Sequence, residues 1–290
     1  MKKTLIILTL MTLSLQSFAR TGQKAIYGQF DNEFITNNSP TNLKHMATGI
    51  SLIVPKKNIK RYSKNTKVIN ARELSRVGNI CRSERFSDNL ASPGGCTGFL
   101  VAPNLVATAG HCIKDKNDCK RMNMVFGVTV AKEIESGFQI ANNNIYSCKK
   151  IIKTTSTNEL DFALIQLDRD VQARHIFELG DDAELTTKSS VYMMGHPMGL
   201  GVTYTEPGPV VSTISNSLFR ARIDSFGGNS GSPVIDEESN KVVGILKGGQ
   251  DDFIKEDGRC TRFARYNSGS EVVSRINLIR SSHLMVFSLR

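Results

Sequence analysis

Three side chains in this sequence are of the types that together make a hydroxyl nucleophilic: Ser230, His111 and Asp161. Ser230 lies in Asp224-Ser-Phe-Gly-Gly-Asn-Ser-Gly-Ser-Pro-Val234, surrounded by Gly227, Gly228 and Gly231. Glycine there lets the backbone turn sharply and present one hydroxyl with little hindrance. A serine hydroxyl alone is a poor nucleophile and needs a base, an orienting acid and donors for the developing oxyanion. His111, in Thr108-Ala-Gly-His-Cys112, is the candidate base, and Asp161, in Glu159-Leu-Asp-Phe-Ala-Leu-Ile-Gln-Leu167, the candidate acid. Singly, each fits a structural role: a turn serine, a packed histidine beside a cysteine, an aspartate at a strand end. The other histidines, His45, His175, His196 and His283, lack such context, and His196 reads as a loop residue. Asp168 reads as surface.

The elements that must position these residues read as all-β. Short apolar runs occur at Ser51–Val54, Gly98–Val101, Leu105–Ala107, Met124–Val130, Ile151–Thr154, Phe162–Leu167, Val191–Met194, Val210–Ile214 and Val242–Leu246. Gly, Pro, Asn and Asp separate them, the pattern of a sandwich or barrel. Helical periodicity is confined to Val272–Ile279. A lone Gly-x-Ser-x-Gly would also suit an α/β-hydrolase, but no strand–turn–helix pattern follows Ser230, and the histidine comes first.

With the order His, Asp, Ser, the three segments resemble the trypsin/chymotrypsin superfamily of serine endopeptidases, in particular its secreted bacterial branch that includes the glutamyl endopeptidases. That branch reads Gly-Asn-Ser-Gly-Ser-Pro around the nucleophile, as here. The resemblance runs from about Ala25 to Val273. It implies two antiparallel six-stranded β-barrels with the active-site cleft between them, His111 and Asp161 on the first and Ser230 on the second. The crossover falls near Leu179–Lys188, which divides the chain into regions 25–182 and 183–290.

Length and composition set the remaining bounds. The chain has 290 residues, 40% of them apolar, enough for a substantial core. Residues 1–19 combine Lys2 and Lys3, the apolar stretch Leu5–Leu15 and the ending Ser17-Phe-Ala19, the layout of a secretory signal peptide. No other stretch is long and apolar enough to span a membrane. Residues 20–24 are a possible short pro-segment, because Ala25-Ile-Tyr-Gly-Gln-Phe resembles the start of many relatives' catalytic domains. Export implies a secreted or periplasmic protein. Losing Lys2 and Lys3 lowers the net charge from +10 to +8. Lys56, Lys57, Lys60, Arg61, Lys64 and Lys67 form an acid-free basic run, read as a solvated loop. No nucleic-acid motif accompanies it, so no nucleic-acid partner is expected.

Six cysteines in an exported chain point to disulfides. The resemblance implies Cys96–Cys112 beneath the catalytic histidine. Cys81, Cys119, Cys148 and Cys260 allow three pairings, of which Cys119–Cys148 with Cys81–Cys260 is preferred. A zinc site or a cysteine nucleophile is a weak alternative without a Cys-x-x-Cys. No cofactor or metal is expected, and the oligomeric state stays open.

By the same resemblance, Ser230 attacks the substrate carbonyl, His111 moves the proton, and Asp161 holds the imidazole. The N–H groups of Gly228 and Ser230 form the oxyanion hole. Asn229 stands where animal enzymes place an aspartate that binds a new N-terminal ammonium, so activation by such an ion pair is not expected. Asp224, six residues before Ser230, takes the position of the specificity-pocket floor. Ser225, Leu246 and Gly249 take further pocket positions. Leu246 replaces the histidine with which glutamyl endopeptidases bind a substrate carboxylate, and a carboxylate floor would pair with a guanidinium. The expected activity is cleavage of protein or peptide substrates after Arg or Lys. Lys247 could neutralise Asp224, or pair with Asp251 or Asp252. A catalytically silent binding or adhesion protein on the same scaffold is the alternative.

Overall fold

The computed structural model describes residues 26–181, 183, 185–255, 260–277 and 279–280. The signal-peptide and pro-segment expectations, 1–24, and the start at Ala25 lie outside them. Among the described residues no helix is long and apolar enough to cross a membrane.

Twelve strands form two closed barrels. The first comprises β1 (Ile50–Pro55), β2 (Cys96–Ala102), β3 (Leu105–Thr108), β4 (Met122–Phe126), β5 (Ile145–Ser156) and β6 (Asp161–Leu167). They pair in the order β4-β5-β6-β3-β2-β1, and β1 returns to β4. The second comprises β7 (Ser190–Gly195), β8 (Gly208–Thr213), β9 (Leu218–Ala221), β10 (Pro233–Asp236), β11 (Val242–Gly248) and β12 (Glu271–Arg275). Their order is β8-β9-β12-β11-β10-β7, closed where Val191 pairs with Gly208. Closure leaves no exposed sheet edge within either ring.

Alternation fills the barrels. Ile53, Phe99, Val106, Met124, Phe126 and Ile165 are buried in the first, and Val191, Met193, Phe219, Val234, Val243 and Leu246 in the second. Each fully buried side chain of this kind stabilises the fold by about 1.5–3 kcal/mol. The basic run sits on a surface hairpin, Ile59–Arg61 paired with Thr66–Asn70, where all six cations except the half-buried Lys67 are exposed.

Two sequence expectations need correction. Val272–Ile279 does not form one helix, because its first residues lie in β12. The N-terminal residues 26–34, assigned to the first region, associate instead with the second: Ile26–Tyr27 pairs with Arg265–Tyr266, and Glu33–Phe34 with Thr203–Tyr204 beside β7.

All three disulfides form as expected: Cys96–Cys112, Cys119–Cys148 and Cys81–Cys260. The first ties β2 to the turn carrying His111, the second ties the helix Lys116–Arg121 to β5, and the third joins segments 179 residues apart.

Candidate active site

β3 ends at Thr108, and the chain turns through the 3-10 segment Gly110–Cys112, which places His111 above the start of β6. Asp161, the first residue of β6, grips that turn twice. Its Oδ1 accepts the His111 N–H at 2.8 Å, and its Oδ2 lies 2.7 Å from His111 Nδ1. The first bond fixes the backbone and the second the ring, leaving Nε2 for the half-exposed side of the imidazole. Burial alone would push the Asp161 carboxyl up. The hydrogen bond and charge of His111, its backbone N–H and the Lys247 ammonium outweigh that and hold it below the ordinary carboxylate range.

The Ser230 turn presses on the same place. Gly231 has φ +88°, and a Cβ there would overlap Thr108 Oγ1 and the Thr97 carbonyl oxygen. Only glycine lets the turn approach so closely. Thr97 N–H donates to the Ser230 carbonyl at 2.8 Å, and Gly231 N–H to the Leu246 carbonyl at 2.9 Å. The Ser230 backbone is thus held between β2 of the first barrel and β11 of the second. Gly228 has φ +100°, and its missing Cβ is what admits the His196 carbonyl and the Met198 N–H. Its carbonyl accepts from Thr97 Oγ1 at 2.9 Å, which turns the Gly228 peptide oxygen inward. Among the described residues the Gly228 N–H donates to no group.

The expected pocket residues have more varied surroundings. Asp224 is buried, and its oxygens are already engaged by backbone donors: Oδ1 by Tyr27 N–H at 2.7 Å and Oδ2 by Asp31 N–H at 3.2 Å. Asp224, expected at the pocket floor, thus has both oxygens turned to the N-terminal segment. Its carboxylate anchors the N-terminal strand, a long-range partnership that spacing from Ser230 does not reveal. Burial, partly opposed by those two hydrogen bonds, pushes it up to about 6. Burial, then the Asp224 charge, pushes neighbouring Asp31 up to about 7. Leu246 also differs from a pocket wall, because its side chain joins the second barrel's apolar core. Ser225 is buried, and its Oγ makes no hydrogen bond. Gly249 is half-buried, and a Cβ on it would overlap the Glu271 carboxylate.

Glu271 is a residue that sequence reasoning missed. It is fully buried at the start of β12, packs on Gly249, and accepts from Tyr27 Oη–H at 2.8 Å. Burial, then the Glu271 charge and hydrogen bond, push the Tyr27 hydroxyl up. Tyr27 thus touches two acids, Asp224 through its backbone and Glu271 through its ring. Lys247 differs from expectation too: its Nζ donates to the Thr157 and Asn158 carbonyls at 3.0 and 2.5 Å, not to Asp224 or the 251–252 loop.

His196 is a buried loop residue. Its Nδ1 lies 2.9 Å from the Leu200 carbonyl, and burial pushes it down to about 4, so it is neutral at pH 7. A histidine clusters with Cys96 and Cys112, but those sulfurs form a disulfide and offer no thiolate to a metal.

A trypsin-like peptidase domain model matches residues 96–245, the interval from β2 to β11 that contains His111, Asp161 and Ser230. A glutamyl endopeptidase of Bacillus licheniformis is 26% identical over 158 residues, covering 52% of this chain and 48% of that protein. The chain thus spans about half the length of the curated relative it matches. Among solved structures, a Glu endopeptidase in complex with MPD superposes with TM-score 0.50 at 16% identity, over 87% of this chain and 93% of that one. The Vibrio cholerae VesB protease gives 0.52 at 14%, over 87% and 65%. The scabies mite inactivated protease paralogue S-I1 gives 0.51 at 12%, over 93% and 100%. At these identities the structures speak to the fold alone.

Proposed function

This chain belongs to the trypsin-like peptidase family, and we propose that it is an exported serine endopeptidase that cleaves after Arg or Lys. The observation that supports the chemistry best is the double contact of Asp161 with His111, beside a Ser230 turn seated on the same strand end. In this mechanism Ser230 Oγ attacks the scissile carbonyl as His111 Nε2 takes its proton. The imidazolium, stabilised by Asp161, then protonates the leaving amine. Water repeats the cycle to release the acyl group and regenerate Ser230. The N–H groups of Gly228 and Ser230 receive the oxyanion. Three disulfides favour an oxidising compartment outside the cytoplasm.

We assign the acid that reads the substrate side chain to Glu271 and not to Asp224, whose oxygens hold the N-terminal segment. A buried carboxylate against Gly249, with Asp224 nearby through Tyr27, disfavours an acidic substrate side chain and suits a cation. The Bacillus licheniformis relative is named for glutamyl cleavage, and Leu246 in the core offers no group for a substrate carboxylate. The scabies mite paralogue of the same fold is named as inactivated, and activity is therefore tested directly. Wild-type mature protein should react with a fluorophosphonate probe, and Ser230→Ala should not. No labelling of folded, processed protein would favour the silent binding alternative. Profiling on a peptide library varied before the scissile bond should show Arg/Lys preference, lost in Glu271→Gln and retained in Asp224→Asn. A wild-type preference for Glu or large apolar residues would sink the specificity assignment.

A further inference from the structure

Asp161 and Ser230 belong to different barrels, so their relative placement depends on what crosses the interface. Two adjacent strands of the second barrel reach the turn that carries Asp161. Ser274 of β12 donates from Oγ to the Asp161 carbonyl at 3.1 Å. Lys247 of β11 donates from Nζ to the Thr157 and Asn158 carbonyls at 3.0 and 2.5 Å. Residues 157–160 form a tight turn immediately before Asp161. Thr157 N–H donates to the Leu160 carbonyl at 2.7 Å, and Leu160 N–H to Thr157 Oγ1 at 2.9 Å. Lys247 is one residue beyond Leu246, whose carbonyl receives the Gly231 N–H next to the nucleophile. One stretch of β11 therefore touches both the Ser230 turn and the Asp161 turn.

We propose that Lys247 is a positioning residue for catalysis, clamping the Asp161 turn of the first barrel to the nucleophile-bearing second barrel and placing a cation beside the Asp161–His111 pair. This rests on the serine-peptidase reading above. An ammonium has three donors, and two of them meet the Thr157 and Asn158 carbonyls of the turn. The charges acting on Asp161 are the His111 imidazole and the Lys247 ammonium. Lys153 of β5 lies over the Phe162 ring, 5.6 Å from its centroid, and Lys149 and Lys150 of the same strand are exposed. Glu159, in the turn itself, is exposed. Burial pushes the Lys247 ammonium down and the Asp161 charge opposes this, so the two groups support each other's charged forms. A cation here also disfavours a further proton on the pair, so removing it should let the pair bind its proton at higher pH.

Lys247→Met keeps the aliphatic stem and removes donors and charge, Lys247→Gln keeps a donor without charge, and Lys247→Arg keeps both. In peptide hydrolysis, kcat should fall about tenfold in Lys247→Met with KM nearly unchanged, a loss confined to the transition state. The acid limb of the pH–rate profile, which reports the coupled pair, should move up by about one unit in Lys247→Met and Lys247→Gln. Lys247→Arg should restore both. The downfield proton resonance of the His111–Asp161 hydrogen bond, followed against pH, reads the same shift without turnover. A wild type that neither hydrolyses peptides nor takes a fluorophosphonate would remove the peptidase reading, while the resonance would still decide whether Lys247 acts on the pair. An unmoved resonance and acid limb in a folded Lys247→Met protein, or an equal shift in Lys247→Arg, would overturn the assignment.

Discussion

Tyr27 N–H donates to Asp224 Oδ1 at 2.7 Å, so the acid six residues before Ser230 holds the N-terminal strand. Asp31 N–H occupies the other oxygen, and the segment between wraps the carboxylate. The strand is therefore fixed by a buried acid–backbone contact at Asp224, whereas the activation pair of animal relatives uses the residue adjacent to the serine, here the buried Asn229.

Asp224→Asn should cost about 1–2 kcal/mol at pH 5, because the amide accepts at one atom only. Its pH dependence has a defined sign. Asp224 is pushed up to about 6 from an ordinary 3.8, so the folded state binds its proton more tightly than the unfolded chain does. That contribution is fully present below 3.8 and is lost as pH rises through about 6. Between pH 4 and 8 the wild type should therefore lose stability relative to Asp224→Asn, by up to about 3 kcal/mol. Urea denaturation of both proteins across that range checks it, and parallel curves would refute the assignment.

Gly228→Ala should abolish most turnover while leaving substrate affinity nearly intact. A Cβ at φ +100° would meet the His196 carbonyl and the Met198 and Gly199 N–H groups, so the peptide must rotate away. Losing one oxyanion donor lowers kcat by about 10²–10³. Steady-state kinetics on protein whose melting is cooperative would check this. Unchanged kcat would mean that the Gly228 N–H does not face the oxyanion.

The first barrel was legible because its strands are apolar and bounded by turn residues, and its histidine and aspartate sit at strand ends. Cys96–Cys112 followed from the resemblance, whereas the other two bridges were the preferred choice among three possible pairings. β12 was not legible. Glu271 and Ser274 face inward, their polarity met by Tyr27 and by the Asp161 carbonyl, so the alternation that marks a half-buried strand is broken. Val272, Val273, Ile276 and Ile279 then fit a helical spacing. Glu271 and the true partners of Lys247 escaped for the same reason: the groups that meet are distant in sequence, and no local pattern announces them. The spacing of Asp224 from Ser230 was legible, but its environment was not, since the strand that covers it comes from the other end of the chain.

Removing the Cys96–Cys112 bridge as Cys96→Ala/Cys112→Ala should destabilise the protein by about 3 kcal/mol in the chain-entropy model, for a separation of 16 residues. The bridge also joins β2, which holds the Ser230 carbonyl through Thr97, to the His111 turn. Activity should therefore fall at temperatures where the fold persists, and thermal melts run beside kinetics would separate the two effects. Full activity at every temperature below the melt would confine the bridge to stability.

Tyr27→Phe separates the two duties of Tyr27. The backbone N–H to Asp224 survives, so the N-terminal strand should stay in place, whereas the hydrogen bond to Glu271 is lost. A buried carboxylate that loses a donor is poorly solvated, and stability should drop by about 1–3 kcal/mol. A guanidinium or ammonium entering beside Gly249 would restore what the hydroxyl supplied, with charge added. In the wild type that entry competes with Tyr27, and in Tyr27→Phe it does not. The ratio of kcat/KM for Arg over a neutral residue of similar size should therefore rise several-fold in Tyr27→Phe and fall in Glu271→Gln. The double variant should resemble Glu271→Gln alone, since the tyrosine acts on selectivity only through that carboxylate. Additive effects of the two substitutions on selectivity would contradict this coupling and remove Glu271 as the acid that reads the substrate.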